Sequence, residues 1–197
     1  MNSLLEMLAN QLDDNALNQI STVAGANQSQ TQQAISAALP MLLGALGRNA
    51  AKPEGAQALT QALARDHDGS ILNNLSANLQ RPEVSQDGAA ILNHILGNRR
   101  DAVAAGVGQV SGLDANSVTQ IMSMLAPVVL GAVGQAQHQN NLSADQVASL
   151  LHREREQTES SLGGLAGLLD MDGDGSVMDD LMVLGSSLLN NFFGKKK

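Results

Sequence analysis

The sequence predicts an all-α protein: a duplicated helical bundle of two pseudo-symmetric halves, followed by an acidic loop and a C-terminal amphipathic helix. Three observations predict it. Apolar residues recur at three- and four-residue spacing along most of the chain, and no stretch shows convincing strand alternation. One stretch occurs twice: GANQSQTQQAISAALPMLLGALG at 25–47 aligns without a gap on GLDANSVTQIMSMLAPVVLGAVG at 112–134, 87 positions on. Val23, Gly25, Gln33, Ser36, Pro40, Leu43, Gly44, Ala45 and Gly47 meet Val110, Gly112, Gln120, Ser123, Pro127, Leu130, Gly131, Ala132 and Gly134. Finally, the composition suits thin helices in close contact: Leu, Ala, Val, Ile and Met dominate, there is no Trp or Tyr, and Phe occurs only at Phe192 and Phe193.

The elements follow in order. Ser3 to Asn10 reads as a short amphipathic helix. Asp13 or Asp14 caps the next, which ends at Gly25. The repeated stretch then forms a core helix in each half, from about Ser29 to Arg48 and from Asp114 to about Gln137. Asn27 and Asp114 are the polar caps. Ile35, Leu39, Leu42 and Leu46, and Val118, Met122, Leu125, Val129 and Val133, are the candidate core faces. The internal Pro40 and Pro127 each remove a backbone bond, with a serine four residues before, so each copy is one helix kinked there or two helices meeting. The Gly-Ala-x-Gly end lets another backbone approach closely, or lets the helix stop.

Pro53 opens a helix reaching Arg65, and Ser143 to about Glu159 matches it at an offset of 88. Asp68-Gly69-Ser70 reads as a turn with Ser70 as cap. A short helix is expected to begin near Gln86-Asp87-Gly88, and a further one spans Arg100 to Val110, with Gly106 and Gly108 as close-packing positions. GQAQHQNN at 134–141 reads as a polar linker. Beyond these the halves diverge, the second through the polar HREREQTESS. The expected organisation is a duplicated helical domain at 1–160, with halves of about 1–99 and 100–160, and a C-terminal segment at 161–197.

Charge and composition narrow the function classes. A net charge of -8 argues against a general nucleic-acid binder, which needs a basic face. With no cysteine there is neither a disulfide nor a thiolate metal site, in keeping with a cytoplasmic location. MNSLLEMLANQL lacks a basic n-region and does not read as a signal peptide. The longest nearly apolar run, Ile121 to Gly134, is shorter than the ~20 residues of a membrane span. Neither a nucleophile elbow nor a phosphate-binding glycine loop is present.

RDHDGSIL at 65–72, DGAAILNHILG at 87–97, the Pro-x-x-Leu-Gly-Ala helix and LDMDGDGSVMDDL at 169–181 together resemble a bacterial family of uncharacterised proteins, domain of unknown function 937. The resemblance covers nearly the whole chain. The Gly-x-x-x…Leu-Pro pattern also looks distantly like the small bacterial YidB-like proteins. The resemblance implies a helical, cytosolic bacterial protein and supplies no catalytic residues.

Two places carry candidate chemistry. Asp66, His67 and Asp68, with His94, offer two imidazoles and two carboxylates to a transition metal or a metal-dependent enzyme. The favoured alternative is a capped turn with His67 in solvent and His94 on a helix surface. His138, His152 and the run Arg153 to Glu156 read as solvated.

The second place is DMDGDGSVMD, which reads as a calcium loop. Asp170, Asp172 and Asp174 alternate as the first three ligands of an EF-hand-type loop, Gly175 gives the sharp turn, and Ser176 offers its carbonyl. Leu181 stands where a bidentate Glu is expected, so Asp179 or Asp180 must close the site and binding is weak. Residues 177–197 read as an apolar-faced helix ending in three lysines. Packing or partner contact is favoured over membrane-surface attachment, because the basic charge is confined to the end. The expected function is a non-enzymatic interaction or scaffold module, with a protein partner or self-association.

Overall fold

The computed structural model describes residues 3–162 of the 197, with side chains described through residue 157. The structure is all-helical, and no strand occurs among the described residues. The chain divides into two compact units, Met1–Arg155 and Glu156–Lys197, and the packing that follows belongs to the first.

Local chemistry sets the helix boundaries. Helix α1 (Leu4–Gln11) starts at a capping box in which the Ser3 hydroxyl accepts from the Glu6 N–H and the Glu6 carboxylate accepts from the Ser3 N–H. Helix α2 (Asp14–Ala24) is capped by Asp13, which accepts from the Ala16 N–H at 2.8 Å. It stops at Gly25, whose φ of 65° suits glycine. Helix α3 (Gln28–Ala50) starts at an Asn27 cap. Helices α4 (Pro53–Asp66) and α6 (Pro82–Leu96) both open on a proline, whose missing N–H costs nothing in the first turn. Between them lie a 3-10 turn (Ser70–Asn74) and the short α5 (Leu75–Leu79).

Helix α7 (Arg100–Ser111) ends at Gly112 with φ 70°, the position 87 beyond Gly25. Helix α8 (Ala115–Asn140) starts at the Asp114 cap, 87 beyond Asn27, and ends at Asn141 with φ 49°. Helix α9 spans Ala144–Leu162.

Helix α8 is the axis of the core. It packs against α1, α2, α3, α4, α6 and α7. Every residue from Ile121 to Gly134 is buried, so this stretch is apolar on all sides, as a central helix must be. By length and composition α8 is able to cross a membrane, and 83% of its apolar window is buried inside the fold. Helix α3 is buried without a break from Ala37 to Leu46. The packing is reciprocal: α2 lies against both α3 and α8, and α7 lies against both α8 and α3. A Ser21–Thr31 hydrogen bond of 2.9 Å joins α2 to α3. The positions 87 beyond them are Gly108 and Val118, where a Cβ on Gly108 would stand 3.8 Å from the Val118 side chain.

Each proline sits inside a continuous helix, Pro40 in α3 and Pro127 in α8. Pro127 cannot donate to the carbonyl of Ser123, four residues back. Gly88 of α6 packs directly on that carbonyl, so closely that a Cβ on Gly88 would overlap it. The glycine thus lies inside α6 as a close-approach position, and the helix expected to begin at Gln86 begins at Pro82 instead.

Other expectations shift similarly. The GQAQHQNN linker is the last turns of α8. Gly108 is a close-packing position, its Cβ site 2.7 Å from the Leu113 carbonyl, but Gly106 meets nothing within 4 Å. The run Arg153 to Glu156 is not simply a solvated face. Glu154 is 5% exposed, and its carboxylate accepts from the Leu5 N–H of α1 at 3.4 Å.

Candidate functional site

The repeated Gly-x-x-Gly ends do not stop their helices; they thin them. In α8 the notch at Gly131 and Gly134 receives the Asp-Gly turn that follows α4. A Cβ on Gly134 would overlap the His67 carbonyl, and one on Gly131 would stand 2.5 Å from the Ile71 side chain. Gly69, with φ 100°, completes the seat: its Cβ site is 2.8 Å from Gln135 and 3.2 Å from the Gly131 carbonyl. Only glycine meets both demands there, the left-handed backbone and the close approach. In α3, the Cβ site of Gly47 is 3.5 Å from the Leu151 carbonyl of α9.

This seating fixes the side chains of the turn. Asp66 pairs with Arg65 at 2.6 Å, both on the outside, and that hydrogen bond holds its carboxyl below the usual range. Ser70 is the first residue of the following turn rather than its cap: Gly69 holds the cap position without a side-chain bond, and Asp68 accepts from the Ser70 N–H at 2.9 Å. The bonds from Ser70 hold its carboxyl low, and His138 on α8 adds to the effect. His67 is not in solvent: its side chain is 11% exposed, and its Nε2 stands 3.9 Å from the Asp87 carboxylate of α6. His94 lies on the exposed side of α6, and His138 and His152 are exposed. The four residues Asp66, His67, Asp68 and His94 therefore serve separately. Among the described residues no group of three or more His, Asp or Glu is arranged to hold a metal.

Sequence reasoning missed two partners. Asp87 had been read as part of a helix start; Pro82 was the available signal that it lies mid-helix, facing the turn. Glu154 sat in a charge run that read as uniformly polar, and only its spacing from the buried Val147 and Leu151 marks it as inward-facing. The proposed calcium ligands Asp170, Asp172, Asp174, Ser176 and Asp179, and the apolar-faced segment 177–197, lie outside the described residues.

The fold and the seated turn define an all-α bundle built on two proline-bearing core helices. The chain belongs to a family described as bacterial protein of unknown function (DUF937), whose model matches residues 6–136 and 135–197. No curated protein and no solved structure matches the chain.

Proposed function

We propose that the protein is a non-enzymatic, cytoplasmic helical interaction module, made of two duplicated halves and carrying a weak calcium loop at its C-terminal end. The carrying observation is a pair of side chains. Among the described residues, the exposed large apolar side chains are Val23 and Val110, at 43% and 45% exposure. They stand 87 positions apart, each two residues before its glycine cap. One exposed valine needs no explanation. Two at equivalent places in a repeat offer a matched pair of apolar contacts, suited to a second copy of the same chain. The reciprocal packing of α2 and α7 on the two core helices supports the reading of duplicated halves. Light scattering coupled to size exclusion tests self-association.

The calcium loop rests on the alternation of Asp170, Asp172 and Asp174 before Gly175, with Ser176 and Asp179 completing the ligand set. Calcium titration calorimetry tests it.

A further inference from the structure

We propose, resting on the reading of self-association, that a second copy docks on the uncharged corners where α2 turns into α3 and α7 turns into α8. The two corners lie side by side. Gln30, in the first turn of α3, donates from Nε2 to the Gly112 carbonyl at 3.2 Å. Its Oε1 accepts from the Asn27 side chain at 2.7 Å, so the cap of α3 is tied to the glycine that ends α7. Val23 and Val110 stand at these corners, each two residues before its glycine. The exposed valines therefore flank one junction.

Charge marks out the same place. Of the 11 basic and 19 acidic residues in the chain, residues 15–47 and 102–144 together hold one, Asp114. Burial accounts for the middle of α3 and of α8, but not for the corners. Thr22, Gln32, Gln33, Gln109, Asn116 and Gln120 are exposed, and each is neutral. Asp114 accepts from the N–H groups of Asn116 and Ser117 at the start of α8, where the helix dipole offsets its charge. Charges resume at the far ends of the same helices: Asp13 and Asp14 at the start of α2, Arg48 at the end of α3, Arg100 and Asp101 at the start of α7. From Asp13 to Val23 the helix advances ~15 Å, at 1.5 Å per residue. That exceeds the ~8 Å screening length of physiological salt.

These properties select the occupant. Two chains of net charge -8 repel, and the repulsion is least where neither presents charge. A side-chain amide carries both donor and acceptor, so a face of Gln and Asn pairs with its own copy, which a face of carboxylates does not. Charge is also depleted at the centres of protein interfaces. In a two-fold pair Val23 of one copy meets Val110 of the other. The repeat gives the two valines equivalent neighbours, Thr22 beside Val23 and Gln109 beside Val110.

The test places charge beside each valine in the full-length chain. One variant carries Thr22→Lys with Gln109→Lys, and a second carries Thr22→Glu with Gln109→Glu. By sedimentation equilibrium each variant alone should associate at least ~tenfold more weakly than the parent, because like charges then face each other. An equimolar mixture of the two should regain the parent's association and lose it with added salt, whereas the parent's own association should change little with salt. Helical content should be unchanged, since both positions are exposed. Amide exchange in the parent at residues 23–31 and 110–118 should slow as concentration rises, a readout that needs no substitution. A parent that associates, with variants that associate as well alone as mixed, would overturn this docking face and leave self-association standing. A parent that stays monomeric at every concentration would overturn self-association and this face with it.

Discussion

Gly134 lies directly beneath the carbonyl oxygen of His67, and a single added methyl there would occupy the space of that oxygen. The contact joins the end of α4 to the C-terminal third of the central helix through backbone alone. Gly134→Ala should therefore destabilise the fold by about 2 kcal/mol, the overpacking cost exceeding the gain in helix propensity. Gly106→Ala is the control, because Gly106 lies in a helix interior with nothing within 4 Å of its Cβ site. It should stabilise by ~0.5–1 kcal/mol. Urea unfolding of the two variants gives both signs; a loss at neither position would remove the seat from the argument.

Acid should weaken the start of α8. Asp114 accepts from the N–H groups of Asn116 and Ser117 at 2.9 and 3.1 Å, and the bonds from Ser117 hold its carboxyl below the ordinary range. A carboxyl lowered in the folded state contributes stability that is present above its unfolded value of about 3.9 and is lost as pH falls through the lower folded value. Asp114→Asn removes that titration while keeping a good cap, as Asn27 does for α3. The variant should match the parent near neutrality and show a shallower loss of stability below pH ~4. Equal acid limbs in parent and variant would contradict this.

The N-terminal helix is held at both ends of its buried face. Leu4 and Leu8 are buried, and the Glu154 carboxylate accepts from the Leu5 N–H. Glu154→Ala should cost about 1–3 kcal/mol by leaving that donor without its partner. Amide exchange in residues 5–11 should quicken before that of α8. Uniform acceleration across both helices would instead indicate a general loss of stability.

Calcium binding is expected at 170–179, with affinity near the weak end for such loops, ~10⁻⁴ M. Titration calorimetry should give a single site that Asp172→Ala with Asp174→Ala abolishes. No heat above that control at millimolar calcium would end this part of the proposal. The turn after α4 supplies an internal comparison. DHDGSILNNL at 66–75 aligns on DGDGSVMDDL at 172–181, and Asn73 and Asn74 stand where the acidic loop has Asp179 and Asp180, so the turn after α4 lacks the closing acids.

The legible parts of the fold were those set by periodicity and caps. The buried stripe of Ile35, Leu39, Leu42 and Leu46, the Asp13 cap and the glycines at 25 and 112 follow from spacing and backbone chemistry alone. The less legible parts depend on what a residue meets across the fold. Gly88 and Gly106 look alike in sequence, yet one meets a carbonyl and the other meets nothing. GQAQHQNN is polar enough for a linker, but α8 carries it as a helical end closed by Asn141. His67 read as a surface residue because its neighbours are charged, and only the seating of the turn against α8 and α6 covers it. The Asp66, His67, Asp68 and His94 set failed for the same reason. Adjacency in sequence did not bring the side chains to one point.

Self-association through the paired valines is the claim most directly open to measurement. Light scattering coupled to size exclusion, on the full-length chain across a wide concentration range, should give an average mass above 20.4 kDa that rises with concentration. Val23→Asp with Val110→Asp should return the mass to that of the monomer without loss of helical content. A strict monomer at the highest concentration, or an oligomer indifferent to both substitutions, would contradict the account.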